Sequence, residues 1–228
     1  MKRIAIIPAR GGSKRIPKKN TKLFLGKPIL AYSIEAALKS RLFDEVMVST
    51  DDDEIATIAK EYGAKVPFMR SEKNSNDFAT TVDVLKEVFD CYKKNGIEFR
   101  QGTCIYACAP FVNEKLLNQS FKILEDKTAD CVFPVIAYSH PIQRALKMNE
   151  NSLITVFDNS NSNVRTQDLE KTYHDAGMFY TFLVENLLNT ESLRTNNTFA
   201  IEIDELHAQD IDSENDWQLA ELKYKLFS

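Results

Sequence analysis

Two short stretches near opposite ends of the chain carry side chains whose types and spacing could do chemistry together. The first is PARGGSKRIPKKN, Pro8–Asn20. It follows a short apolar run, Lys2–Ile7, that reads as a buried strand stopping at Pro8. In open α/β sheets ligands bind beyond the carboxyl ends of the strands, which is where this loop must emerge. Gly11 and Gly12 let backbone approach a ligand closely, and successive N–H groups after Ala9 can cradle phosphate oxygens. Arg10, Lys14 and Lys19 add positive charge suited to a triphosphate. The loop is neither a Walker A sequence nor a dinucleotide G-x-G-x-x-G. A solvated basic loop is the plain alternative, and position at a strand end favours phosphate.

The second stretch is Gln209-Asp-Ile-Asp-Ser. In extended backbone Asp210 and Asp212 point to one side and Ile211 to the other. Two carboxylates about 6.6 Å apart along such a segment can share a hard cation such as Mg²⁺, which prefers oxygen ligands and phosphate partners. Helix capping by Ser213 and Asp216 is the alternative. It accounts for those two residues but leaves the Asp-Ile-Asp pattern unexplained.

The elements that must position these groups alternate along 228 residues. Helices are expected over Pro28–Lys39, Asp52–Tyr62, Thr80–Lys94, Glu114–Glu125 and Glu214–Phe227. Strands are expected over Glu45–Thr50, Lys65–Met69, Thr103–Tyr106, Cys131–Ile136, Gly177–Phe182 and Thr198–Ile203. This rhythm predicts an α/β fold with a Rossmann-like, doubly wound, mainly parallel sheet. Near residue 137 it breaks. Ile142–Met148 and Leu153–Phe157 read as a hairpin across Asn149–Ser152, followed by a polar loop, Asp158–Asp168. We expect one domain over 1–228, with 137–175 inserted as a lid or a dimer arm. In the first of those strands Arg144 shares the parity of Ile142 and Leu146, so it is expected on an otherwise apolar side. There a bound anion or an internal salt bridge would offset its burial.

Charge and composition narrow the classes. The net charge is −4, yet the first 34 residues hold nine Lys/Arg and no acid. Nucleic-acid binding by that block would call for interleaved aromatics, and only Phe24 and Tyr32 lie within it. The apolar run Ile4–Ala9 is too short for a secretory signal, and no stretch is long and apolar enough to span a bilayer. Cys91, Cys104, Cys108 and Cys131 lie in apolar segments without metal spacing, which suits core packing in a reducing cytoplasm. A non-catalytic nucleotide sensor would keep the basic loop but not need the Asp pair. His140 and His207 read as packed or surface histidines, whereas His174 sits beside Asp175 just before a strand.

PARGGSKRIPKKN, VSTDDDEIA (Val48–Ala56), RSEKNSNDFATT (Arg70–Thr81) and DIDSENDWQLAE (Asp210–Glu221) occur in an order that resembles the sialic-acid-type cytidylyltransferases, the CMP-N-acylneuraminate synthetases. HPIQRAL (His140–Leu146) and YHDAGMFY (Tyr173–Tyr180) look most like the pseudaminic acid branch. Where the sialic acid enzymes read QPTSP, this chain reads YACAP, Tyr106–Pro110, and so lacks a glutamine expected near the sugar. The resemblance implies CTP plus a nonulosonic acid giving a CMP-sugar and pyrophosphate, with Mg²⁺, in a homodimer. It implies nucleotide contacts from Ala9, Arg10, Gly11, Gly12, Ser13, Lys14, Lys19, Asn20, Arg70, Asp77 and Thr81, and metal binding by Asp210 and Asp212. Catalysis would rest on Arg10, Lys19 and the two aspartates. Tyr106, Arg144, Arg165, Tyr173 and His174 are the residues expected at the sugar. Related branches acting on legionaminate, neuraminate or Kdo are the alternatives.

Chemistry at the α-phosphorus develops negative charge, so contacts that strengthen in the transition state lower kcat when removed. Arg10→Ala or Lys19→Ala should each lower kcat/KM by the equivalent of about 2–4 kcal/mol, as for other preorganised charge stabilisers. Lys18→Ala, measured at the same ionic strength, should cost far less. Equal and small effects from all three would reduce the loop to a diffuse positive field.

Overall fold

The computed structural model describes residues 1–158, 160 and 164–227; residues 159 and 161–163 of the expected polar loop lie outside the described residues. Strand β1 (Arg3–Pro8) leads, by way of a short hairpin of β2 (Leu23–Phe24) and β3 (Lys27–Pro28), into α1 (Ile29–Ser40). Then come β4 (Glu45–Ser49), α2 (Asp53–Glu61), α3 (Thr81–Lys94), β5 (Gln101–Ile105), α4 (Glu114–Asp126) and β6 (Cys131–Ala137). The hairpin β7 (Leu146–Met148) and β8 (Ile154–Val156) follows, then β9 (Tyr173–Asp175), β10 (Phe179–Leu183), α5 (Val184–Thr190), β11 (Thr198–Glu202) and α6 (Glu214–Lys225).

The main sheet runs in the order β11-β6-β10-β5-β1-β4, with β9 also paired to β6. Pairs β11–β6, β5–β1 and β1–β4 are parallel, while β10 runs antiparallel to both its neighbours. The α/β, mainly parallel expectation therefore holds, with β10 reversed in the middle and the short β9 also antiparallel to β6. Strand β1 shows why its sequence is apolar throughout. Ala5 and Ile7 pack on one face with Ile29 and Ile34 of α1 and Trp217 of α6, whereas Ile4 and Ile6 pack on the other with Leu85, Val88 and Phe89 of α3. Alternate residues point to opposite faces, so a strand covered on both sides must be apolar at every position. Fully burying each Ile is worth about 1.5–3 kcal/mol.

Three expectations need correction. Lys65–Met69 forms no strand: only Lys65 bridges Met47. Lys65 exchanges backbone hydrogen bonds with Val46 and Val48, but Pro67 has no N–H to extend the ladder. The first strand of the excursion begins later than expected, because Ile142–Arg144 is a 3-10 turn. Arg144 therefore shares no strand parity with Leu146. Its guanidinium is half-buried and donates to the Val164 carbonyl. Lastly, α5 and β9 were not expected, and β10 starts at Phe179 rather than Gly177.

The helix starts follow the sequence closely. Asp52 caps α2 by accepting the Ile55 N–H, and capping boxes formed by Thr80/Asp83 and Ser213/Asp216 start α3 and α6. The second box begins α6 directly behind Asp210–Asp212.

Candidate active site

The carboxyl edge of the sheet opens into a cleft of about 570 Å³. The loop after β1 contributes Arg10, Ser13, Lys14, Arg15, Lys19 and Asn20; the segment before α3 contributes Arg70, Asp77 and Thr81. Tyr106 and Cys108 enter after β5, Gly177 before β10, and Asp210 and Asp212 before α6. The two stretches singled out in the sequence, almost 200 positions apart, thus form facing walls of one cavity.

Burial of Ile16 in the core anchors the basic loop. Asn20 stiffens it by donating to the Arg10 carbonyl at 2.8 Å and accepting from the Cys108 thiol at 3.2 Å. Burial pushes that thiol up to about 12, so Cys108 is a packing and hydrogen-bonding group rather than a nucleophile. Arg70 is buried and donates to the carbonyl and hydroxyl of Ser49 at the end of β4. Ala9 is buried in the core and does not line the cleft, and neither Gly11 nor Gly12 does so. The Gly11 N–H donates to Asp51 at 3.1 Å, and a Cβ there would sit 2.6 Å from an Asp52 carboxylate oxygen. Its missing side chain admits the start of α2 rather than a ligand.

Each cation of the loop has an acidic or carbonyl partner. Arg10 pairs with Asp77 at 2.7 Å and Lys14 pairs with the other oxygen of the same carboxylate. Hydrogen bonds from Lys14 and then Arg10 hold the Asp77 carboxyl below the usual range. Arg15 pairs with Asp212 at 2.8 Å, while Lys19 donates to the Ile211 carbonyl at 2.7 Å and lies 3.8 Å from Asp212. Lys18 turns away to Glu54, at 2.7 Å. Asp210 differs: its surroundings in the cleft and then the Asp212 charge push its carboxyl up from the ordinary value. Ile211 is buried while both neighbours face the cleft, as extended alternation requires. Among the described residues no cluster of three His, Cys, Asp or Glu forms a metal cage. A cation here would take two carboxylates and complete its shell elsewhere. Two carboxylates are all-oxygen donors, the ligand type that Mg²⁺ prefers.

Of the residues expected at the sugar, only Tyr106 reaches the cleft. Its ring packs edge-on against that of Tyr180, with centroids 6.0 Å apart, and burial pushes its hydroxyl up to about 12. Tyr180 in turn donates to Asp175, whose carboxylate also accepts from Arg194 at 2.7 Å and from the Gly177 N–H at 2.9 Å. Tyr173 donates to Glu202 at 3.0 Å, and the His174 ring lies 5.0 Å from Tyr138. Arg144 and Arg165 belong to turns of the excursion. These four lie outside the cavity of their own chain.

The sequence reading missed Arg15, Asp175 and Gly177. Gly177 has φ +66°, and a Cβ there would meet Asp210 at 3.1 Å, so the cleft wall needs glycine for both reasons. The Asp-Ala-Gly turn within YHDAGMFY was the available signal.

A family model described as Cytidylyltransferase matches residues 4–224. The chain belongs to that family. A pseudaminic acid cytidylyltransferase of Campylobacter jejuni subsp. jejuni serotype O:2 is 39% identical over 226 residues, covering 99% of this chain and 97% of that protein. An N-acylneuraminate cytidylyltransferase of Escherichia coli O18:K1:H7 is 30% identical over 95% of this chain and 51% of its own length. Among solved structures, a CMP:2-keto-3-deoxy-manno-octonic acid synthetase complexed with CTP superposes with a TM-score of 0.70 at 20% identity, over 99% of this chain and 98% of that one. At that identity the likeness concerns the fold.

Two outcomes follow for this cytidylyltransferase. Replacing Asp77 with Asn frees Arg10 and Lys14 for an anionic ligand. CTP should then bind several-fold tighter in calorimetry at low salt, with less gain at high salt. Weaker binding would mean that Asp77 contacts the nucleotide itself. Asp210→Asn should raise Tm at pH 7 without ligands. A raised folded-state pKa favours the neutral carboxyl, so ionised Asp210 costs stability above that pKa and nothing where all carboxyls are protonated. The gain should therefore vanish in a differential scan near pH 3.

Proposed function

We propose that this cytidylyltransferase couples CTP to pseudaminate, giving CMP-pseudaminate and diphosphate. The observation that carries the reading is the cleft itself. A basic loop and an Asp-x-Asp pair face each other at the sheet edge in a chain alignable end to end with a pseudaminic acid cytidylyltransferase. Arg10, Lys14 and Lys19 receive the triphosphate, Arg70 and Thr81 line the nucleotide, and Asp77 holds Arg10 and Lys14 in place until it binds. Asp210 and Asp212 would hold Mg²⁺, which when bound offsets negative charge on phosphoryl oxygens. The anomeric hydroxyl attacks the α-phosphorus in line, and diphosphate leaves from the opposite side. Catalysis consists of positioning both substrates and stabilising developing charge, with no covalent enzyme intermediate. Tyr106, packed edge-on against Tyr180 and lining the cleft, is the side chain we place beside the acceptor.

We further infer a homodimer in which residues 137–175 of one copy reach the other. The hairpin β7–β8 joins no larger sheet and leaves Leu146, Met148, Leu153, Ile154 and Phe157 exposed. An isolated two-stranded hairpin is marginal alone, and apolar patches of this kind mark contact surfaces. An arm from a partner would also bring Arg144, Arg165, Tyr173 and His174 toward a cleft that they do not reach in their own chain. On this reading 1–228 acts as one domain, in a reducing cytoplasm consistent with four free cysteines. No helix among the described residues is long and apolar enough to cross a membrane.

Incubation with CTP, Mg²⁺ and a panel of pseudaminate, legionaminate, neuraminate and Kdo, read by mass spectrometry, should give CMP-pseudaminate with the highest kcat/KM. A markedly higher value for another acid would reassign the sugar, and no CMP-sugar from any would remove the activity.

A further inference from the structure

Lys223, on α6, is only 8% exposed. Its ammonium meets three neutral oxygens: the carbonyls of Glu205 at 2.9 Å and Ala208 at 3.0 Å, and Gln209 Oε1 at 3.0 Å. Withdrawing an ammonium from water is costly unless its donors are satisfied, and here all three are. Every acceptor lies in the five residues leading directly into Asp210.

Gln209 passes this anchoring onward. Its Nε2 donates to the Asp210 carbonyl at 3.0 Å and reaches Asp216 Oδ1 at 3.5 Å. Asp216 in turn accepts the N–H groups of Asp212 at 3.1 Å and Ser213 at 2.8 Å. From the opposite wall Lys19 donates to the Ile211 carbonyl at 2.7 Å. The backbone is thus held at each of the three residues Asp210, Ile211 and Asp212, by groups from two ends of the chain.

We propose that Lys223 is a positioning residue, which acts through Gln209 to fix Asp210 and Asp212 at the separation that a divalent cation requires. Helix α6 does not need Lys223 to dock. Trp217 and Ala220 are buried in the core, and the Ser213/Asp216 box closes its start. What Lys223 adds is restraint on the segment that carries the carboxylates. Asp210 and Asp212 repel one another, so an unrestrained segment would relax by separating them and lose the arrangement a cation bridges. Groups that orient metal ligands without touching the metal typically cost about 10–100-fold in metal affinity when removed. This inference rests on the reading that the two aspartates hold the cation.

The test uses the full chain with CTP and no sugar acid, so no turnover occurs. Mn²⁺ is titrated and followed by water-proton relaxation enhancement, which separates the protein–Mn–CTP complex from free Mn–CTP. Lys223→Met keeps the apolar stem and deletes the donors; Gln209→Met breaks the relay at a half-buried position. Both should weaken Mn²⁺ binding about tenfold or more. In turnover assays kcat at limiting Mg²⁺ should fall, excess Mg²⁺ should restore much of it, and KM for CTP should stay within about twofold. A purely structural role would lower Tm without metal rescue. Wild-type Mn²⁺ affinity in a folded variant overturns the proposal, and Gln209→Met decides alone if Lys223→Met does not fold. Asp210→Asn and Asp212→Asn in the same titration separate the two ideas. If both bind Mn²⁺ normally, the metal reading fails; if they lose it while the positioning variants keep it, only the role of Lys223 fails.

Discussion

The whole arrangement depends on β1 being covered on both faces. Helices on either side bury it completely, and it pairs in parallel with both β4 and β5 at the centre of the parallel part of the sheet. Its carboxyl end must therefore deliver the basic loop to the sheet edge, beside the ends of β4 and β5. Tyr106 follows β5 directly, and Arg70, from the segment before α3, is held at the same edge by Ser49 at the end of β4. The cavity is thus a consequence of how a buried parallel strand is packed, and the chemistry is carried by loops anchored to it.

Electrostatics sets the second constraint. The loop contributes several cations to a small cleft, and the opposite wall contributes two carboxylates close together. Neither set would be comfortable alone. Asp77 and Asp212 neutralise Arg10, Lys14 and Arg15, and Lys19 finds the Ile211 carbonyl. Desolvation in the cleft, and then the neighbouring Asp212 charge, hold the Asp210 carboxyl above its usual range. On the proposed reading, triphosphate oxygens would meet Arg10 and Lys14, and a hard cation would meet the aspartates. The ionic pairs of the cleft use the groups that a charged ligand would take over.

Much of this was legible in the sequence because it is local. The apolar run of β1, the Ser213/Asp216 cap and the alternation at Asp-Ile-Asp all follow from neighbours within a few positions. Their boundaries fell within a residue or two. The expected strand at Lys65–Met69 failed for an equally local reason that the apolar pattern outweighed, namely Pro67. The placing of Arg144 failed because strand parity was applied to a segment that begins as a 3-10 turn. The reversed direction of β10 could not be read at all, since a strand has the same side-chain period whichever way it runs.

By itself the sequence determined the inventory of chemistry: a basic loop after a buried strand, a carboxylate pair before a helix, and the alternation of elements that makes an α/β sheet. It also determined membership in the cytidylyltransferases, through motifs whose order spans the chain. Only the tertiary structure decided which groups of that inventory meet. It separated Lys19, aimed at the cleft, from Lys18, drawn off to Glu54, although the two are adjacent. It turned Gly11 toward Asp52 and set Gly177 against Asp210. It joined Tyr180 to Asp175 by a hydrogen bond and to Tyr106 by ring packing, and it buried Lys223 beneath the aspartates. Each of these partners lies far away in the chain or on another element. Local propensity carries no information about such pairs, because they are chosen by packing around the core.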